Sequence, residues 1–216
     1  MEACRIIAIR HGETAWNAGG RIQGQLDIEL NARGRWQAAQ VARAIADSAA
    51  QQSIDAIYSS DLLRASQTAK PLADALGCSL ATDASLRERG FGAFEGQTFE
   101  QITARWPDQA ERWRQRDPEF APEGGESLVI FRERVLRSVG ALAARHPGQQ
   151  IAVVSHGGVM DVLYRAATRQ ELQAFRTWEL SNAAINRLLW SAQGFSLVGW
   201  ADTHHLANEP LDETTA

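Results

Sequence analysis

The chain has 216 residues, 44% hydrophobic and 22% charged, which suits a single globular domain with a full core. Lys+Arg 22 against Asp+Glu 26 leaves a net charge of -4, which argues against non-specific nucleic-acid or membrane binding. Any anion site must then be a local cluster of positive groups, and every basic residue except Lys70 is an arginine, whose fork suits carboxylate or phosphate.

Residues 4–9 form a short β-branched apolar run and read as a buried strand. The run is too short for a signal peptide and ends in Arg10, and no stretch approaches a membrane span, so a cytoplasmic location is expected. The polar turn Arg10-His11-Gly12-Glu13-Thr14 follows. Asn31 can cap a helix whose apolar positions include Trp36, Ala39, Val41 and Ile45. A second strand is predicted over 54–58, closed by Ser59-Ser60-Asp61. Helix follows over 61–76; Pro71 should kink it or break it near Lys70, and Gly77 suits its C-cap. A third short strand covers 78–81. Cys4 and Cys78 make no metal-ligand spacing and no C-x-x-C pair, so both read as small apolar residues in a reducing compartment.

Gly90, Gly92 and Gly96 among aromatics make 86–96 a structured loop. Residues 98–115 read as helix interrupted at Pro107, and 117–125, rich in Pro, Gly and acid, as loop; together they suggest a helical, lid-like insertion around 97–126 of one domain spanning 1–216. Ser127 caps an amphipathic helix reaching about 145. Residues 151–154 are the strongest buried strand, followed at once by Ser155-His156-Gly157-Gly158 and a helix to about 168. Residues 184–190 and 195–200 predict a closing hairpin around Gly194, and the last dozen residues are expected to fray.

Alternating strands and helices imply an α/β fold, a three-layer sandwich with a mostly parallel central sheet flanked by helices. Ligands of such sheets bind beyond the carboxyl ends of the strands. Arg10-His11, the segment from Ser59 to Arg64, and His156 each follow a predicted strand, so three distant polar clusters should meet at one sheet edge.

Phosphoryl transfer without a metal needs a nucleophile, fixed positive charge and a proton donor for the leaving oxygen. His11 can be the nucleophile, Arg10 and Arg64 can hold phosphoryl oxygens, and His156, if protonated, adds a third cation. Glu88 can be the acid, provided burial or a dianionic substrate keeps its proton near neutral pH. Glu13 is the runner-up for that role, although salt bridges suit Glu13 and Glu95 better. His146 suits a helix-end position. The adjacent His204 and His205 should point apart, so no metal and no cofactor is expected. Trp106 and Trp113, at helical spacing, fit either a half-buried helix face or an apolar wall of the substrate pocket. Ser155 lacks the context of a serine hydrolase, and no dinucleotide or P-loop glycine pattern is present.

Arg10-His11-Gly12-Glu13-Thr14-x-Trp16-Asn17 resembles the signature of the histidine phosphatase superfamily, the phosphoglycerate mutase-like proteins. Arg21-x-Gln23-Gly24 with Asp27 and Leu30, then Ser59-Ser60-Asp61-Leu62-x-Arg64-Ala65-x-x-Thr68-Ala69, then Leu86-x-Glu88-x-x-Phe91-Gly92-x-Phe94-Glu95-Gly96, then Val153-Val154-Ser155-His156-Gly157-Gly158 resemble that family's later motifs, in order. The resemblance implies a phosphohistidine on His11, a clamp of Arg10, Arg64 and His156, and Glu88 as general acid and then base. It also implies a phosphate pocket lined by Asn17, Gln23 and Gly24. The backbone N–H of Gly157, opening a helix, would add a donor.

The resemblance covers both phosphatases and phosphoglycerate mutases, which share these residues and differ in water access and in contacts to the rest of the substrate. The loop Arg21-Ile22-Gln23-Gly24-Gln25 carries Gln where the mutases typically carry Thr. The segment between Glu88 and His156 also lacks the longer basic insertion of the mutases, so hydrolysis of a small phosphorylated metabolite is the preferred reading. Against it, Glu88-Arg89 and Gly92-Ala93 look mutase-like. A phospho-ligand binder without activity is the third reading, disfavoured because all five catalytic-type residues are present. The oligomeric state stays open, with a homodimer through the edge of the final hairpin as one option.

Overall fold

A computed structural model describes residues 2–48 and 53–207; the fraying expected of the chain end falls mostly beyond them. A six-stranded sheet has the order β3-β2-β4-β1-β5-β6. Its strands are β1 (Cys4–Arg10), β2 (Ala56–Ser59), β3 (Leu80–Thr82), β4 (Gln150–Ser155), β5 (Ile185–Ser191) and β6 (Gly194–Asp202). The first four are mutually parallel, and β5 and β6 complete the sheet antiparallel, as the hairpin pattern predicts.

The continuous apolar runs of β1 and β4 are explained by helices on both faces. Ile6 and Ala8 of β1, with Ile151 and Val153 of β4, pack on one side against α6 (Leu128–Ala144) and α7 (Gly157–Thr168) through Phe131, Val135 and Val159. Ile7, Ile9, Ala152 and Val154 face the other side, against α2 (Ala32–Ser48) and α3 (Leu63–Leu76). This period-two division creates the three layers. Between β3 and α6 lie α4 (Phe99–Arg105) and α5 (Pro107–Arg114), with a small core of Phe94, Ile102, Ala110 and Phe120.

One local expectation, a break at Pro71, is corrected. The helix of α3 runs through Pro71 without a break. Pro71 removes one backbone bond, but Ala65, Thr68, Ala69, Leu72 and Ala73 anchor the buried face on both sides of it. Along α2 the buried stripe is Gly34, Gln37, Ala38, Val41, Ala42 and Ile45, while Trp36 and Ala39 are half-buried. Asn31 does cap this helix, its Oδ1 accepting from Gly34 N at 2.7 Å. Gly77 ends α3 in the left-handed region, with φ 62°.

The register fixes where the site lies. Arg10 pairs with Ser155 and Ser59 with Val154, so the carboxyl ends of β1, β4 and β2 lie side by side. His11, His156 and Ser60 are the next residues along each strand.

Candidate active site

His11 is held by its backbone before its side chain is considered. Its N–H donates to Ser155 O at 2.9 Å and its carbonyl accepts from Asn182 Nδ2 at 3.0 Å. Gly12 N donates to Thr68 Oγ1 at 3.0 Å. Gly12 and Gly34 pack backbone to backbone: a Cβ on Gly12 would sit 2.5 Å from Gly34 O, and one on Gly34 would collide with the Glu13 carbonyl. The N-terminus of α2 is thereby locked onto the turn that carries His11.

Nδ1 of His11 lies 2.7 Å from Gly12 O. A carbonyl can only accept, so this nitrogen carries the proton and Nε2 keeps the free lone pair. The imidazole is 3% exposed. Burial, reinforced by the charges of Arg64 and Arg10, holds it well below the usual histidine range, so it is neutral at pH 7.

His156 meets His11 edge-on, with ring centroids 5.2 Å apart. Its Nδ1 accepts from Arg64 Nε at 3.2 Å, and its Nε2 lies 2.8 Å from Ser60 Oγ. Because Arg64 can only donate, Nδ1 is unprotonated and Nε2–H points to Ser60. Burial first, then Arg64, pushes its pKa well below the ordinary value. His156 thus stands here as a neutral, fully buried neighbour that orients Arg64, whereas a third cation is expected of it only if protonated.

Arg64 is also fully buried, donating from Nη1 to Leu26 O at 2.8 Å and from Nη2 to Gly24 O at 2.7 Å. Arg10 donates Nη1 to Leu180 O, and its buried Nε has no hydrogen-bond partner. Burial pushes Arg10 down to about 10, against the opposing pull of Glu88, so it remains charged at pH 7.

Glu88 is half-buried and held by two amides: Gly158 N donates to Oε2 at 2.9 Å and Arg89 N to Oε1 at 2.8 Å. The amide at the start of α7 that is engaged here is thus Gly158's, and it serves the acid. Its neighbour Gly157 lines the larger cavity described below. Arg134 staples the acid loop to α6, pairing with Glu126 at 2.6 Å and donating to the carbonyls of Ser85, Arg87 and Glu88.

These side chains enclose a cavity of about 200 Å³, lined by His11, Arg10, Arg64, Glu88, Asn17 and Gln23, with Gly24. Asn17 Oδ1 accepts from Thr14 N at 3.1 Å in the capping box of the short helix α1 (Ala15–Ala18), and Gln23 Oε1 is buried without a partner. Arg10, Glu88 and Phe91 also line a second cavity of about 670 Å³. The two cavities are therefore neighbours, with Arg10, Glu88 and Phe91 in both linings.

The other candidates lie elsewhere. Glu13 pairs with Arg33 at 3.0 Å and with Asn31, and Glu95 accepts from Gln25 N and Phe91 N, so both are structural. His146 bonds Tyr58 and Gln149. His204 pairs with Asp202 while His205 meets Ala183 O, so the two point apart. Trp106 and Trp113 both pack on Phe94; Trp113 also lines the larger cavity. Asn182, Thr68 and Arg134 were missed as supports. Thr68 stood in a motif, but Asn182 and Arg134 carry no local pattern.

The two buried imidazoles dictate a pH dependence. Their folded pKa values are lowered, so below about 6.5 the unfolded chain binds protons that the native state does not, and stability falls as pH falls. We expect urea unfolding to lose about 1–3 kcal/mol between pH 7.5 and 5.5; an unchanged midpoint would contradict two neutral buried histidines.

The chain matches the histidine phosphatase superfamily (branch 1) over residues 6–203. It is 34% identical over 209 residues to phosphoglycerate mutase-like protein 4 of Arabidopsis thaliana, covering 95% of this chain and 88% of the relative. It is 34% identical over 210 residues to the metal-independent phosphoserine phosphatase of the same plant, covering 96% and 85%. A solved mycobacterial glucosyl-3-phosphoglycerate phosphatase in complex with VO3 superposes with a TM-score of 0.79 at 33% identity, covering 92% of this chain and 99% of that one. This chain therefore belongs to the histidine phosphatase superfamily. Among the described residues, no helix is long and apolar enough to cross a membrane.

Proposed function

We propose that the chain hydrolyses small phosphomonoesters through a phosphohistidine on His11, without a metal. The observation that carries this is the bond from His11 Nδ1 to Gly12 O, which leaves Nε2 as the lone pair in a pocket shared with Arg10, Arg64 and Glu88. The two guanidinium groups supply the fixed positive charge. In the first step the bond from Nε2 to phosphorus forms, the ester P–O bond breaks, and Glu88 gives its proton to the departing alcohol. In the second, water attacks phosphorus, Glu88 takes its proton, and the N–P bond breaks. Asn17, Gln23 and Gly24 complete the wall of the phosphoryl pocket. Gly157 faces the alcohol side.

The metal-independent phosphatase among the relatives supports this reading. The mutase-like name of another keeps isomerisation as the alternative. One assay separates them. With 3-phosphoglycerate, a bisphosphoglycerate primer and excess chelator, we expect free phosphate and no 2-phosphoglycerate. Efficient isomerisation would reverse the reading, and activity lost to the chelator would refute the metal-free scheme.

A further inference from the structure

Residues 87–91, which include Glu88, belong to no helix or strand. Their backbone groups must therefore find partners outside any regular ladder. The carbonyls from Ser85 to Glu88 all accept from side chains. Ser155 Oγ donates to Leu86 O at 2.7 Å. Arg134, on α6, serves the other three: Nη1 donates to Ser85 O and to Arg87 O, both at 2.9 Å, and Nη2 to Glu88 O at 3.1 Å. Gln25 Nε2 adds a second bond to Glu88 O at 3.2 Å.

The guanidinium is itself held. Glu126 forks onto it, Oε1 accepting from Nε at 2.8 Å and Oε2 from Nη2 at 2.6 Å. The same Oε2 accepts from Gly90 N at 2.8 Å, and the Glu126 carbonyl accepts from Arg89 Nε at 2.8 Å. One ion pair thus grips the chain on both sides of the 88–89 peptide. The side chains of Arg134 and Glu126 are 22% and 19% exposed, so water and salt screen the pair less than a surface pair. The gripped peptide supplies Arg89 N, which donates to Glu88 Oε1. Moving it shifts the carboxylate and one of its two amide anchors together.

We propose that Arg134 and Glu126 act as a positioning pair that aims the Glu88 carboxyl at the leaving oxygen. The inference rests on the phosphatase reading above and adds what fixes the acid in place. Neither residue lines the two cavities of the site, so both act through Glu88 and not on the substrate. A lysine at 134 cannot take over, because one ammonium cannot fork onto Glu126 while spanning three carbonyls. A glutamine at 126 keeps an acceptor for Gly90 N but loses the charge that anchors the guanidinium. A misaimed acid also has a chemical signature that general loosening lacks. Protonation speeds departure of a poor leaving group and does little for a good one.

The test compares phenyl phosphate, a poor leaving group, with 2,4-dinitrophenyl phosphate, which departs without a proton. Wild type, Glu88→Gln, Arg134→Lys and Glu126→Gln are assayed on both. Arg134→Lys and Glu126→Gln should each lose roughly ten- to a hundredfold in kcat/KM on phenyl phosphate and less than about threefold on the dinitrophenyl ester. Glu88→Gln should show the same split, more steeply. Glu126→Gln, nearly isosteric, carries the test where Arg134→Lys does not fold. Equal losses on the two esters, or phenyl phosphate activity near wild type, would overturn the positioning role alone while Glu88→Gln still shows the split. If Glu88→Gln shows none, the acid assignment falls and the pair's role with it. If the wild type hydrolyses neither ester, the phosphatase reading itself falls.

Discussion

Replacing His11 with alanine is expected to reduce turnover by more than roughly 10⁴-fold and to abolish an acid-labile phosphoenzyme in rapid-quench labelling. The fold should survive, because the backbone bonds to Ser155 and from Asn182 do not involve the imidazole. The neighbouring cations have nothing else to direct: Arg10 and Arg64 hold a phosphoryl group but form no bond to phosphorus. Retention of more than about a tenth of wild-type kcat/KM would remove His11 from the role of nucleophile.

The second large effect concerns Arg64. Arg64→Ala is expected to cost roughly 10²–10³ in kcat/KM, comparable to losing another electrostatic donor. It should also cost roughly 2–5 kcal/mol of stability, because Gly24 O, Leu26 O and His156 Nδ1 all lose their donor. A distinctive readout follows. With the guanidinium gone, His156 Nδ1 becomes free to take a proton, so NMR titration should place His156 higher in the variant than in the wild type. Activity within tenfold of wild type, with an unmoved His156, would contradict the arrangement described here.

The legible part of this site is what strand ends impose. Residues 10–11 and 155–156 follow apolar runs whose parallel pairing forces them to one edge, and the acid loop announces itself through its glycines and aromatics. The sheet, its hairpin and the helices α4 and α5 were legible for the same reason: periodicity and turn residues are local signals. What the sequence did not carry depends on distances through space. The charge of His156 is decided by its burial and by a guanidinium 92 positions away in the chain. The choice between Gly157 and Gly158 as the engaged amide is a matter of helix phase against Glu88. Asn182 and Arg134 act on carbonyls 171 and 46–49 positions distant, and no short pattern records such contacts. Of the kink or break expected at Pro71, the break is absent because the buried helix face continues on both sides of it.

The two cavities share a wall of Arg10, Glu88 and Phe91. Under the proposed function, bond making at phosphorus belongs to the smaller cavity and contacts to the leaving alcohol to the larger one. Trp113 and Leu128 line only the larger cavity, so on that reading substitutions there are expected to change the choice of ester more than the chemistry at phosphorus.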